Sequence, residues 1–274
     1  MNPRKITLKG LTTAFVFIII GCAQQLTVTQ PAQSSFTCSN QWYQTIDQHV
    51  QSGDGHGHGP DVGSGEWKSV VEFKLGVRGD ADVPNRDSNE WCAYINDLVF
   101  SPSFSCDNVA AGTIESRICA NEPLAALDRK LEAVYGNALK KATSESPSQL
   151  KVQQRGWIKG RNDCWKATDQ NQCIEAAYLR RIAQLQAQYQ LVESTGPVTF
   201  VCENDSANTI LATFYRTQPP TLIAQYKGSE SLMFLQPSAS GSQYQGRNER
   251  FWEHHGQAQV TWGVDASPMQ CVKK

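Results

Sequence analysis

The sequence predicts an α+β chain of several domains, with a helical middle followed by a small antiparallel β-barrel. Three observations carry this. Leu124, Leu127, Leu131, Tyr135 and Leu139 recur at steps of three and four residues, the apolar stripe of an amphipathic helix. From Val198 onward the chain breaks into short runs rich in β-branched and aromatic residues, separated by Pro, Gly and Asn turns. A length of 274 residues also exceeds one ordinary domain, which takes about 100–200.

The elements follow in chain order. Arg4, Lys5 and Lys9 precede a short apolar run from Leu11 to Ile20. That run is too short for a bilayer-spanning helix of about twenty residues and reads as a secretory leader. Ile19-Ile20-Gly21-Cys22 matches a lipobox, so cleavage is expected before Cys22, with acyl chains such as palmitate carried on that cysteine. Ala23 rather than Asp follows, which makes an outer-membrane lipoprotein facing the periplasm the expected location. Residues 23–35 are polar and read as a tether. Of nine cysteines, setting Cys22 aside leaves eight, an even number that suits disulfides in an oxidising compartment.

Residues 36–103 form an acidic unit whose role the sequence does not declare. Residues 23–100 hold ten acids and four bases, a net charge of −6. Such a front can attract a cationic partner or simply keep the unit soluble. Residues 41–50 and 66–75 have helical spacing, with Trp42, Ile46 and Val50 on one face and Trp67, Val71 and Leu75 on the other helix. Between them lies a glycine-rich loop carrying His56 and His58. No carboxylate partner is fixed for these histidines, and no strand or Lys-Ser/Thr completes a phosphate-binding loop, so it reads as a plain loop. Cys38 and Cys92 flank the unit and are expected to pair across it, although spacing alone leaves the partners of the six cysteines from Cys38 to Cys173 open.

Residues 104–192 are helical. Glu122 and Pro123 start the first long helix, and residues 144–148 with Pro147 break it. A second runs from near Leu150 toward Cys164, and a third from about Cys173 to Tyr189. The set Cys106, Glu115-Ser-Arg-Ile-Cys119, Asp128, Tyr135, Gln154-Arg-Gly-Trp157, Arg161-Asn-Asp-Cys164 and Cys173 resembles the LprI-type lysozyme-inhibitor domain. Asp128, Trp157 and Arg161 fall on recurrent positions of that domain and are read as packing and ion-pairing residues.

Residues 196–274 carry strand-like runs at 198–202, 210–215, 221–226, 232–235, 250–253 and 257–262. Cys202 and Cys271 bracket them and are placed to staple first strand to last. In the chain-entropy picture a closed loop of this size contributes roughly 4 kcal/mol. Ser238-Ala-Ser-Gly-Ser-Gln-Tyr244 followed by Phe251-Trp-Glu-His-His-Gly256 describes two neighbouring loops, and it resembles the MliC/PliC family of c-type lysozyme inhibitors. The resemblance implies a barrel that inserts two loops into the lysozyme cleft to meet its catalytic carboxylates. Ser240 would take the hydroxyl role, with Ser238 as alternate, Gly241 forming the turn and Tyr244 holding the loop. In the second loop the family's Lys-Gly is replaced by His255-Gly256, with Arg247 as reserve cation. An imidazole donates a hydrogen bond when neutral and pairs ionically when protonated, so this contact is expected to tighten at lower pH.

The expected function is therefore a lipid-anchored periplasmic inhibitor of c-type lysozyme, bound to the membrane through Cys22. The alternative is an envelope-binding structural lipoprotein. Catalysis is not expected. The chain has no nucleophile elbow, HExxH or P-loop, and Ser238, Ser240, His254, His255 and Asp265 only supply triad residue types. No metal or cofactor is called for. Without a basic block or Arg/aromatic stripe, nucleic acid is disfavoured. The sequence does not specify an oligomeric state.

Overall fold

The computed structural model describes residues 37–54, 56, 58–142 and 147–274, so Cys22 and its leader lie outside the described residues. The chain runs through seven α-helices and then eight strands among these residues. It is an α+β architecture in which a closed antiparallel barrel follows the helices. No helix among the described residues is long and apolar enough to cross a membrane.

The acidic unit is built from a threefold repeat. Helices α1 (Asn40–Val50), α2 (Gly65–Leu75) and α3 (Asn89–Phe100) each begin with a serine whose hydroxyl accepts from the backbone N–H three residues on. That residue is Trp in every case: Trp42, Trp67 and Trp91. Four residues further comes a buried Ile46, Val71 or Ile95, and next to it a polar Asp47, Glu72 or Asn96. The polar residues accept from the indoles in cyclic order. Trp42 Nε1 donates to Asn96, Trp67 Nε1 to Asp47 and Trp91 Nε1 to Glu72, at 3.1, 2.8 and 2.9 Å. Each helix thus provides the acceptor for a neighbour's indole N–H. The Cys38–Cys92 disulfide ties the start of the first helix to the third.

Helices α4 (Ile114–Cys119), α5 (Glu122–Lys141), α6 (Pro147–Asn162) and α7 (Gln170–Gln188), with a 3-10 turn at Asp163–Lys166, make the second helical unit. Its core gathers Ile118, Leu124, Leu131, Leu150, Ile174, Tyr178, Ile182 and Leu185. Asn121 and Asp169 cap the two long helices through their side chains. Disulfides Cys106–Cys119 and Cys164–Cys173 close the short connections. Beneath them runs a polar chain. Tyr178 donates to Asp128 at 2.6 Å, and Arg161 donates to Tyr178 at 2.8 Å and to Glu115 at 2.7 Å. Asp128 also accepts from the amide and hydroxyl of Ser103. Asp128 and Arg161 are buried and mutually satisfied within this network.

The barrel comprises β1 (Ser194–Cys202), β2 (Thr209–Tyr215), β3 (Thr221–Tyr226), β4 (Ser229–Gln236), β5 (Ser242–Gln245), β6 (Glu249–His254), β7 (Gln257–Trp262) and β8 (Met269–Lys273). Each strand pairs antiparallel with its sequence neighbour, and β8 returns to β1 to close the ring. Alternate residues point inward, among them Phe200, Ile210, Leu222, Met233, Tyr244, Phe251 and Val260. The seam is short: Phe200↔Lys273, Val201↔Val272 and Cys202↔Cys271. Cys202 and Cys271 are disulfide-bonded across it. Outside, α7 covers β3, where Ala187 meets Tyr215 and Ile223. That contact explains why Thr221, Leu222, Ile223 and Ala224 are all buried in a strand that would otherwise alternate.

Two outcomes follow. Arg86 bonds both oxygens of Glu72 at 2.8 and 2.6 Å and, together with the Trp91 indole, holds that buried carboxyl below the usual carboxylate range. A folded pKa below the unfolded one gives stability that is complete above the unfolded value and lost as pH falls through the folded one. Glu72→Gln is expected to cost about 1.5–3 kcal/mol at neutral pH, with the deficit against wild type shrinking in acid. Guanidinium chloride midpoints at the two pH values measure it. Replacing Cys202 and Cys271 together by Ala is expected to lower the stability of the barrel by roughly 4 kcal/mol, read from the same denaturation curves.

Candidate functional site

Hairpins in an up-and-down barrel alternate between its two ends, so topology decides which loops are neighbours. One end carries the β2–β3 loop (216–220), the β4–β5 loop (237–241), the β6–β7 turn (255–256) and the end of β8. The opposite end carries the connections at 203–208, 227–228, 246–248 and 263–268. The segments singled out around Ser240 and His255 therefore share an end.

The β4–β5 loop is fastened from within. Ser238 Oγ donates to the Gly241 carbonyl at 2.9 Å, so this hydroxyl is engaged inside the loop. The Ser240 carbonyl accepts from Trp252 Nε1 at 2.9 Å, which pins the loop to β6. Ser240 is exposed, and its hydroxyl has no partner among the described residues. Gly241 sits at φ +66°, and a Cβ there would lie 2.3 Å from the Glu253 carbonyl and 3.1 Å from the His254 Cβ. Only glycine permits both the turn and this approach to β6. Tyr244 is buried in the barrel core with its ring centroid 5.7 Å from that of Phe214, and burial pushes its phenol pKa up. It braces the loop from inside and is not offered at the surface.

The second loop is a two-residue hairpin turn. His254 pairs with Gln257, leaving His255 and Gly256 at φ +52° and +78°. Two successive positive φ values mark a type I′ turn, whose twist matches the flanking strands. Glu253 accepts from the Gly256 amide at 2.8 Å and fixes it. His254 and His255 are both exposed, their rings 4.1 Å apart and nearly perpendicular. The pair projects beside the Ser240 loop because β5 and β6 are hydrogen-bonded neighbours, with Ser242 opposite Glu253.

Arg247 is not part of this arrangement. It lies in the β5–β6 turn at the opposite end, the six-residue length of β6 away, roughly 20 Å at about 3.3 Å per residue. The expectation of a reserve cation at this position is corrected by the hairpin connectivity. A different cation is adjacent: the Lys273 amide donates to the Gly256 carbonyl at 2.8 Å, and Lys273 is exposed. The sequence conceals it, because Lys273 is far from His255 along the chain and meets it only through β7–β8 pairing. Asp265 also sits at the far end, in the β7–β8 connection, so the Ser, His and Asp residue types do not converge. In the acidic unit His58 Nδ1 lies 3.1 Å from Asp54 Oδ2, and the described residues contain no group of three or more His, Cys, Asp or Glu able to hold a metal.

Gly241→Ala tests the loop's construction. It is expected to destabilise the barrel by more than about 1 kcal/mol, since both the positive φ and the contact with β6 oppose a side chain. Chemical denaturation measures this.

Comparison with known proteins divides the chain along the same lines. The family model for the membrane-bound lysozyme inhibitor of c-type lysozyme (MliC) matches residues 200–268. The model for lysozyme inhibitor LprI matches residues 106–185. Among curated proteins, lipoprotein LprI of Mycobacterium tuberculosis and of Mycobacterium bovis are each 25% identical over 158 residues, spanning 58% of this chain and 78% of theirs. The chain thus carries regions matching two families of lysozyme inhibitor, the helical one first and the barrel second.

Proposed function

We propose that this chain is a lipid-anchored inhibitor of c-type lysozyme that places the Ser240 loop and the His255 turn together in the enzyme's active-site cleft. The observation that carries the reading is the adjacency of those two loops at one barrel end, each locked by internal hydrogen bonds. Loops fixed before contact lose little freedom on binding, and that raises affinity. The free Ser240 hydroxyl donates to one catalytic carboxylate. His255 meets the other, and Lys273 beside it supplies the charge that the family's lysine would bring. No covalent step is involved.

Attachment through a lipid on Cys22 and an outer-membrane location facing the periplasm belong to the same proposal. The name of the relatives, lipoprotein LprI, supports membrane attachment in kind. We read the chain as four working parts after the leader: the tether (23–35), the acidic unit (36–103), the helical unit (104–192) and the barrel (196–274). The match of residues 106–185 to an inhibitor family makes the helical unit a candidate second inhibitory surface.

The test is c-type lysozyme turnover on peptidoglycan, titrated with the oxidised, lipid-free chain. Stoichiometric inhibition is expected, weakened about tenfold or more in the Ser240→Ala/His255→Ala double variant, as for truncated hot-spot contacts. Inhibition untouched by that double variant moves the activity to the helical unit. No inhibition at all removes the reading in favour of an envelope-binding lipoprotein. Single variants separate the two cations: His255→Gln and Lys273→Gln are each expected to weaken inhibition, and the one that costs more identifies the residue that meets the carboxylate.

A further inference from the structure

Between α6, α7 and the flank of the barrel lies a cleft of about 560 Å³, within the range of about 300–1,000 Å³ typical of small-molecule sites. Its charged lining is entirely cationic: Arg161, Arg180, Arg181 and Arg247, with no carboxylate among the lining residues. Arg161 is already matched by Glu115. The other three have no ion pair among the described residues.

Arg181 is the most telling. It is only 3% exposed. Its Nε and Nη1 donate to the amide oxygens of Gln154 and Gln184, both at 3.0 Å, while Nη2 is buried without a partner. Neutral amides satisfy hydrogens but bring no counter-charge, and a buried guanidinium without one is costly. Burial lowers its pKa, and no carboxylate acts against that effect. Arg180 is exposed and lies 4.1 Å from the centre of the Phe234 ring. Arg247, exposed in the β5–β6 turn, reaches the same cleft from the barrel side. Arg180 and Arg247 bring two further guanidinium groups to the same cleft, and an anion there would supply the counter-charge that all three lack.

The lining also indicates what kind of anion fits. Trp157, Leu232 and Phe234 give the cleft an apolar wall, which an inorganic ion cannot use. Planar guanidinium forks match carboxylates in two-point contact. We propose that this cleft binds a small organic acid carrying two or more carboxylates, held by Arg180, Arg181 and Arg247 at the joint between the helical unit and the barrel. Because the site is remote from the Ser240 and His255 loops, its occupancy and lysozyme inhibition are separate properties of the chain.

Calorimetric titration of the full oxidised chain tests this, using citrate, acetate and inorganic phosphate, each against sodium chloride at matched ionic strength. Citrate is expected to bind saturably at one site per chain, about tenfold or more tighter than acetate or phosphate, since each added charge-assisted contact is worth that order. Arg180→Gln and Arg247→Gln, both at exposed positions, are each expected to weaken citrate about tenfold while leaving the melting temperature in chloride unchanged. Absence of saturable citrate binding overturns the proposal. So does citrate binding that neither variant weakens, because the site is then elsewhere. Phosphate binding tighter than citrate overturns the assignment of an organic acid.

Discussion

Closure of the barrel is the constraint on which the candidate site depends. An eight-stranded meander becomes a ring only when β8 finds β1, and that seam consists of Phe200↔Lys273, Val201↔Val272 and Cys202↔Cys271. With so few paired residues, the disulfide at its inner end holds the first and last strands against fraying. Closure also removes the two edges that an open sheet would expose. It fixes hairpin parity as well. Once the strands are committed to an up-and-down ring, the Ser240 loop and the His255 turn have no choice but to share an end, and Lys273 is carried there by the closing strand itself.

Much of this was legible in the sequence. The stripe from Leu124 to Leu139 became α5, and six of the barrel's strands were recognisable from β-branched and aromatic content. Strands β5 and β8 escaped because Ser242–Gln245 is polar and short, and Met269–Lys273 has one buried residue, Cys271. Helix α3 was overlooked although its buried Trp91, Cys92, Ile95 and Val99 fall at helical spacing, and repetition adds a second signal for it. Ser39, Ser64 and Ser88 each precede a Trp by three residues, and aligning them would have exposed the three helices together. Arg247 was misplaced because proximity along a chain says nothing about which end of a barrel a hairpin occupies. Lys273 was missed by the same logic in reverse.

The helical and barrel regions are joined by α7. Its inner face completes the core around Tyr178 and Leu185, while Ala187 beds against Tyr215 and Ile223 on the barrel exterior. Between these contacts the helix turns Arg180 and Arg181 toward β4 and the β5–β6 turn. One helix therefore serves two neighbours with different chemistry, apolar at its C-terminal end and cationic midway. This explains why its apolar stripe is diluted by Arg and Gln relative to that of α5.

The Cys38–Cys92 disulfide has a covalent consequence. Residues 39–91 form a closed loop within the chain, and so do 107–118, 165–172 and 203–270. A single backbone cut inside any of these loops, including the glycine-rich stretch between α1 and α2, leaves everything before Cys38 still bonded to the barrel. A single clip separates the barrel from the front of the molecule only at 93–105, 120–163 or 174–201, and most of those residues lie in helices or in β1. The four bridges thus act as retention devices as well as braces, confining the damage a protease could do with one cut.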